Sequence, residues 1–202
     1  MKTVILFASK GNNVGKTFTA QAYSKHLSNS SEVYSFADPI REYCNSLFKY
    51  NYLFSERFTD FYQYRHLKNT RITDHIKEAK AYPDLEGLTF RDFININSDR
   101  LQEEEGYYIW AKKALEHIHS SNNKFILIDD FRRITEGGYL LSCLKDCNII
   151  SVNLIKDNVE NQIETSHEGL LTDFNFDIEF KFDADYNNIL DLFSLLDEKI
   201  KG

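Results

Sequence analysis

Cysteine is scarce in this sequence: there are three in 202 residues, Cys44, Cys143 and Cys147, and no Cys-x-x-Cys pair. An odd count without that spacing argues against a disulfide framework, fits reduced thiols and sets the expectation of a cytoplasmic protein. Basic residues are also outnumbered, 24 Lys and Arg against 31 Asp and Glu, for a net charge of -7. That balance excludes the dense cationic surface that draws proteins to nucleic-acid backbones. It does not exclude a small anion, which needs only a local cluster of donors such as the amides at a helix N-terminus. No apolar run approaches the roughly 20 residues of a membrane helix, so no membrane partner is expected. The segment Thr3 to Ala8 after Met1-Lys2 has the apolarity of a short signal segment. Lys10 and Lys16 interrupt it before any cleavage-like site, and it reads as a buried strand. Repeats, low-complexity tracts and a dividing linker are absent as well.

What remains is a globular composition, 42% hydrophobic and 27% charged. A chain of this size suits one α/β domain with a helical insertion. Val4 to Phe7 predicts a buried strand, and Ala20, Tyr23 and Leu27 give the helix that opens near Lys16 an apolar stripe. The polar run Ser28 to Ser31 should end that helix before a strand at Val33 to Phe36. Asp38 is placed to cap a helix reaching Phe48, with Pro39 in its first turn. The aromatic stretch Phe54 to Glu86, with Arg57, Arg65 and Arg71, carries no strand signal and is assigned to helices outside the sheet. Helices are expected at Phe90 to Leu101, Tyr107 to His117, Gly138 to Leu144 and Ile189 to Ile200, and strands at Phe125 to Ile128, Ile149 to Ile155 and Phe176 to Phe182. The alternation of strand and helix implies a parallel sheet.

The most informative stretch is Lys10-Gly11-Asn12-Asn13-Val14-Gly15-Lys16-Thr17, which follows a strand and opens a helix as a Walker A loop does. Small residues let consecutive amides wrap phosphates, a lysine spans the β- and γ-oxygens of ATP, and a hydroxyl serves Mg²⁺. Gly15, Lys16 and Thr17 fill the last three positions, while lysine stands at position 10, where the pattern has glycine, with Gly11 one place later. A magnesium site needs a second acidic element at a nearby strand end, and Asp129-Asp130 after Phe125 to Ile128 supplies it. The planar guanidinium of Arg132 or Arg133 suits the charge that develops on a transferring phosphoryl group.

Together these segments resemble the deoxynucleoside monophosphate kinases of bacteriophages, a branch of the P-loop nucleoside monophosphate kinases. The resemblance spans Ile5 to Thr17, then Phe36-Ala37-Asp38-Pro39-Ile40-Arg41, which is similar to that family's Ala-Asp-Pro-apolar-basic helix start. Arg91, Ser98, Arg100 and Trp110 answer its middle motif, Asp130-Phe131-Arg132 with Glu136 its Asp-x-Arg and later Glu, and His167-Glu168 its late His-containing loop. The resemblance implies a three-layer P-loop sandwich with a parallel central sheet and a helical acceptor-binding region at about 38–120. It also implies transfer of the γ-phosphoryl of ATP to a (deoxy)nucleoside monophosphate. In that scheme Gly11, Asn12, Asn13, Val14, Gly15, Lys16 and Thr17 bind ATP, Lys16, Arg132 and Asp38 are catalytic, and Asp38, Arg41 and Arg91 hold the acceptor. Thr17 and Asp130 become the Mg²⁺ residues, and the partner is a small nucleotide, with room left for a homodimer. Another phosphorylated acceptor, such as phosphomevalonate or dephospho-coenzyme A, and a degenerate ATP-binding module without turnover are the alternatives.

Other residues read as scaffold. Trp110 suits a core wall, and His117 and His119, two apart on a helix, face different ways and read as surface. Glu103 to Glu105 is a solvated run, and Cys143 and Cys147, four apart, read as packing on one helix face.

Overall fold

The computed structural model describes residues 1–9, 14–53, 67–156, 171, 173–183 and 185–202. The chain forms two compact units: Met1–Phe36 with Trp110–Gly202, and the continuous segment Ala37–Ile109 between them in sequence.

The first unit is built on five strands, β1 (Thr3–Ala8), β2 (Ser31–Tyr34), β3 (Phe125–Ile128), β4 (Asn148–Lys156) and β5 (Ile178–Phe182). Their order is β2-β3-β1-β4-β5 and every neighbouring pair is parallel. The central strands are continuous apolar runs because a parallel sheet is covered on both faces. All six residues of β1 and all four of β3 are buried. Alternation sends Ile5 and Phe7 to one face, where they pack with Leu127, Val152 and Phe182 against Ala20 and Tyr23 of α1 (Lys16–His26). Leu192, Phe193 and Leu196 of α7 (Ile189–Lys201) complete that layer. Val4, Leu6 and Ala8 point to the opposite face and are equally inaccessible. Truncating one of these large side chains to alanine typically costs about 2–5 kcal/mol. A polar cluster supplements the apolar contact: Tyr23 donates to Asp197 at 2.6 Å, and His26 Nε2 lies 3.0 Å from the other carboxylate oxygen. Two further helices, α5 (Ile109–Ser120) and α6 (Ile134–Cys143), flank β3 in sequence.

The second unit holds α2 (Asp38–Tyr50) and α4 (Phe90–Glu105). Between them lie the single turn α3 (Ile72–His75) and two 3₁₀ stretches, Lys77–Ala81 and Pro83–Leu85. Phe48 of α2 meets Phe93 of α4 at a ring separation of 4.9 Å, and Ile72, Ile76, Ala79 and Leu85 are fully buried. Thr89 caps α4, accepting from the Asp92 amide at 3.1 Å while Asp92 accepts from the Thr89 amide at 3.0 Å. The Thr89 amide and hydroxyl, both donating to the Asp92 carboxylate, hold that carboxyl below the usual range. Burial pushes the Cys44 thiol, on the inner face of α2, up to about 12.

Most expected elements are present, with shifted ends. β2 starts two residues before Val33 and stops at Tyr34, and α6 begins at Ile134 instead of Gly138. The 67–86 part of the region assigned to helices contains one helical turn and 3₁₀ stretches instead; Arg57 and Arg65 lie outside the described residues. Cys143 is the last residue of α6 and is exposed, so it shares no helix face with Cys147. His117 is no plain surface residue: it stacks on Tyr34 at 4.1 Å and faces Glu32 at 3.2 Å. Trp110 is buried, as a wall residue should be. Among the described residues no helix is long and apolar enough to cross a membrane.

Candidate phosphate loop and carboxylate strand end

Position Gly15 is where local chemistry first becomes specific. It stands at φ 96°, ψ 16° as the residue preceding α1, a left-handed conformation that favours glycine. Its carbonyl accepts from the Thr19 amide at 2.8 Å, closing the first helical turn. The N-cap residue is itself a glycine and offers no side-chain acceptor, and no acidic residue lies in the first turn of α1. The start of a helix carries amides without intrahelical acceptors and a partial positive charge, the combination that favours an anion. Lys16 and Thr17, both half-buried, are the first two helical residues, and Lys16 Nζ donates to Ser9 Oγ at 2.5 Å. Val14 is buried. Lys10, Gly11, Asn12 and Asn13 lie outside the described residues.

The carboxylate pair ends the strand next door. Leu6 pairs with Ile128, so Asp129 and Asp130 leave β3 beside the point where β1 runs toward Ser9. The Phe131 amide donates to the Phe7 carbonyl at 3.2 Å, holding the two strand ends together. The two aspartates do different work. Asp129 is buried and accepts a short hydrogen bond from Ser35 Oγ. Asp130 is half-buried and accepts from the Phe36 amide at 2.7 Å. Both therefore anchor the segment leaving β2, and Asp130 is the more accessible of the two.

Arg132 is exposed and Arg133 half-buried just beyond. Their amides donate to Glu136 Oε2 at 3.4 and 3.2 Å, so Glu136 organises the turn that presents both arginines. Burial, with a further contribution from the negative charge of Asp130, raises the Glu136 carboxyl to about 7, against the opposing pull of Arg133 and the two amides. A carboxyl whose folded value lies above its ordinary 4.5 retains its proton in the native state where the unfolded chain has lost it. Stability contributed by that proton is complete at low pH and is lost as pH rises toward about 7. The melting temperature of Glu136→Gln, which cannot ionise, should therefore gain on wild type by about 4–8 °C between pH 5 and pH 7.5, the change that roughly 2 kcal/mol produces at this size. A constant difference across that window would show that Glu136 ionises as an ordinary carboxyl.

The remaining candidates lie in the other unit. Asp38 is the first residue of α2; Ala37 takes the cap position that Asp38 was expected to fill. The Asp38 carboxylate instead accepts from Arg41 Nη1 at 2.7 Å, an ion pair with both side chains 15% exposed. Arg91 is the second residue of α4, half-buried, and its amide donates to the Lys68 carbonyl at 2.8 Å. Arg100 donates to the Tyr43 hydroxyl and lies over that ring at 5.8 Å. His167, Glu168 and Gly169 lie outside the described residues. Sequence reasoning missed Ser9, Ser35 and Tyr186 as neighbours of the candidate residues. Ser35, directly before Phe36, could have been found as a polar residue at a strand end; Tyr186, in the turn before α7, offers no sequence signal at all.

No family profile and no curated protein matches this chain.

Proposed function

We propose that the protein is an ATP-dependent kinase of the P-loop class, a three-layer sandwich that phosphorylates a (deoxy)nucleoside monophosphate to the diphosphate in the cytoplasm. The observation that carries this reading is the left-handed Gly15 followed by Lys16 and Thr17 at a helix start, beside a strand ending in two aspartates. The strand order adds support. β2 and β3 lie on one side of β1, and β4 and β5 on the other. In open α/β sheets ligands bind outside the carboxyl ends of the strands where the order reverses.

The residues present fit Mg²⁺ and ATP. A half-buried carboxylate leaves room for the waters that Mg²⁺ retains, and Asp130 meets that condition better than the enclosed Asp129. With Thr17 it would hold the ion, which when bound neutralises charge on the phosphates. Lys16 contributes an ammonium whose resting contacts include the Ser9 hydroxyl, a neutral partner that it can exchange for phosphate oxygens. Arg132, exposed on the turn set by Glu136, would stabilise the transferring group in this reading. An acceptor phosphate is already anionic at neutral pH, so Asp38 orients Arg41 and needs no role as a strong base.

Arg41 and Arg91 take the acceptor phosphate in this reading. Losing a charge-assisted contact costs about 1.5–3 kcal/mol, or roughly 10- to 150-fold. Arg41→Ala and Arg91→Ala should each lower kcat/KM for the acceptor by that factor and leave the ATP KM nearly unchanged. Loss of ATP affinity with intact acceptor affinity in both variants would place the acceptor elsewhere. The function itself is tested by ADP release with each nucleoside monophosphate, phosphomevalonate and dephospho-coenzyme A. Release driven by one or a few nucleoside monophosphates supports the kinase. Release driven only by another acceptor reassigns the substrate, and ATP binding without consumption identifies a binding module.

A further inference from the structure

We infer that Tyr186 is a positioning residue for the phosphate loop, fixing the peptide that joins Val14 to Gly15 so that its amide faces the bound phosphates. This rests on the nucleotide reading above and adds a residue that neither the motif nor the carboxylate pair includes.

Two contacts from Tyr186 converge on the peptide. The Tyr186 hydroxyl donates to the Val14 carbonyl at 3.3 Å. Its ring lies against Gly15, where an added Cβ would stand 3.1 Å from Tyr186 Cε1 and 3.2 Å from the hydroxyl oxygen. Glycine at this position is favoured by its φ of 96°, and the tyrosine lying over it leaves a side chain little room. In a trans peptide the carbonyl and the following N–H point in opposite directions. Tying the Val14 carbonyl to Tyr186 thus turns the Gly15 N–H away from the ring. It also keeps a carbonyl oxygen, which would repel an anion, turned toward a donor. The Gly15 carbonyl is committed to Thr19, so both sides of the glycine are fixed.

The tyrosine is itself held under strain. Its φ of 59° is left-handed, an uncommon conformation for a bulky residue that persists only when the surroundings impose it. They do so here. Asp183 accepts from the Asn187 amide at 2.7 Å, Asn188 accepts from the Asp183 amide at 3.1 Å, and Asn188 Nδ2 donates to the Lys181 carbonyl at 3.0 Å. The ring is flanked by Phe182 at 4.8 Å, and Lys156 Nζ, from the end of β4, sits 4.0 Å from its centre. A turn built to hold one strained tyrosine against one glycine is what a fixed loop geometry requires, because a phosphate contact weakens steeply once its amide leaves alignment.

The test is calorimetric titration of the full-length wild type, Tyr186→Phe and Tyr186→Ala with Mg·ATP and, separately, with Mg·tripolyphosphate, alongside nucleotide-free melting curves. Phenylalanine keeps the ring and removes only the hydroxyl. We expect Tyr186→Phe to bind both ligands about 3- to 10-fold more weakly, the range of one neutral hydrogen bond, with a melting temperature within about 2 °C of wild type. Tyr186→Ala should lose more. Equal affinities in wild type and Tyr186→Phe overturn the assignment, whatever happens to the melting temperature. A loss confined to ATP, with tripolyphosphate unaffected, overturns it in favour of a contact to the base. A folded wild type that binds no Mg·ATP overturns the nucleotide reading and this inference together, whereas wild-type binding that Tyr186→Phe leaves unchanged overturns this inference alone.

Discussion

Lys16→Ala should abolish ATP turnover, lowering kcat by at least about 10²–10³-fold, the effect of removing one preorganised charge or donor from a transition state. The melting curve should hardly move. Lys16 is half-buried at the start of α1 and its ammonium meets the Ser9 hydroxyl, so the apolar packing of Ala20 and Tyr23 behind it remains. Substitutions that spare the core generally change stability by about 0.5 kcal/mol or less, which is about 1–2 °C here. Steady-state kinetics and calorimetric melting of the same preparation check both halves. Undiminished turnover in a normally folded variant would exclude Lys16 from the chemistry and with it the P-loop reading.

The second large effect separates two adjacent aspartates by two kinds of measurement. Asp130→Asn should lose about 10²-fold or more of the Mg²⁺-dependent activity, since a neutral amide replaces the anionic ligand of a hard cation. It should fold normally, because the carbonyl oxygen of the substituted side chain can still accept from the Phe36 amide. Asp129→Asn should show the reverse. The Asp129 carboxylate is buried against Ser35 and the Asp129 amide is tied to the Tyr34 carbonyl, so weakening that buried charged contact costs about 1–3 kcal/mol, or roughly 2–12 °C. Activity measured well below the melting transition should change far less. If the activity loss instead falls on Asp129→Asn, the metal ligand lies one residue earlier and the alignment that assigns Arg132 shifts with it.

How much of this could be read from the residues varies with how local the determining physics is. β1, Gly15 and α1 were legible because a continuous apolar run, a glycine and a helical stripe sit within one short segment, each carrying its own signal. The parallel sheet followed from the alternation of elements. The ends of elements were less legible where a polar residue has a tertiary partner. Ser31 belongs to β2, although its run reads as a stop, because its hydroxyl bonds back to the Ser24 carbonyl at 2.8 Å. α6 starts before its two glycines for a packing reason. A Cβ on Gly137 would come within 2.6 Å of the Phe131 ring, so the glycine is there for close approach and breaks no helix. Residues 67–89 carry no periodicity because short 3₁₀ turns bury single side chains, Ala79 and Leu85, without repeating a face. Of the candidate site, the loop and the Asp pair were legible and their division of labour was not. That Ser35 encloses Asp129, and that Tyr186 reaches across 172 positions to Val14, are consequences of folding with no local trace.

In the proposed reaction the γ-phosphoryl group of ATP passes directly to a nucleoside monophosphate while the Lys16 ammonium neutralises charge on its oxygens. The most direct measurement incubates γ-labelled ATP and Mg²⁺ with each nucleoside monophosphate, and separates the products of wild type and Lys16→Ala. Label is expected in a nucleoside diphosphate with wild type, in proportion to unlabelled ADP formed, and none above background with Lys16→Ala. Label that stays in ATP, or appears only as inorganic phosphate with every monophosphate, would contradict it.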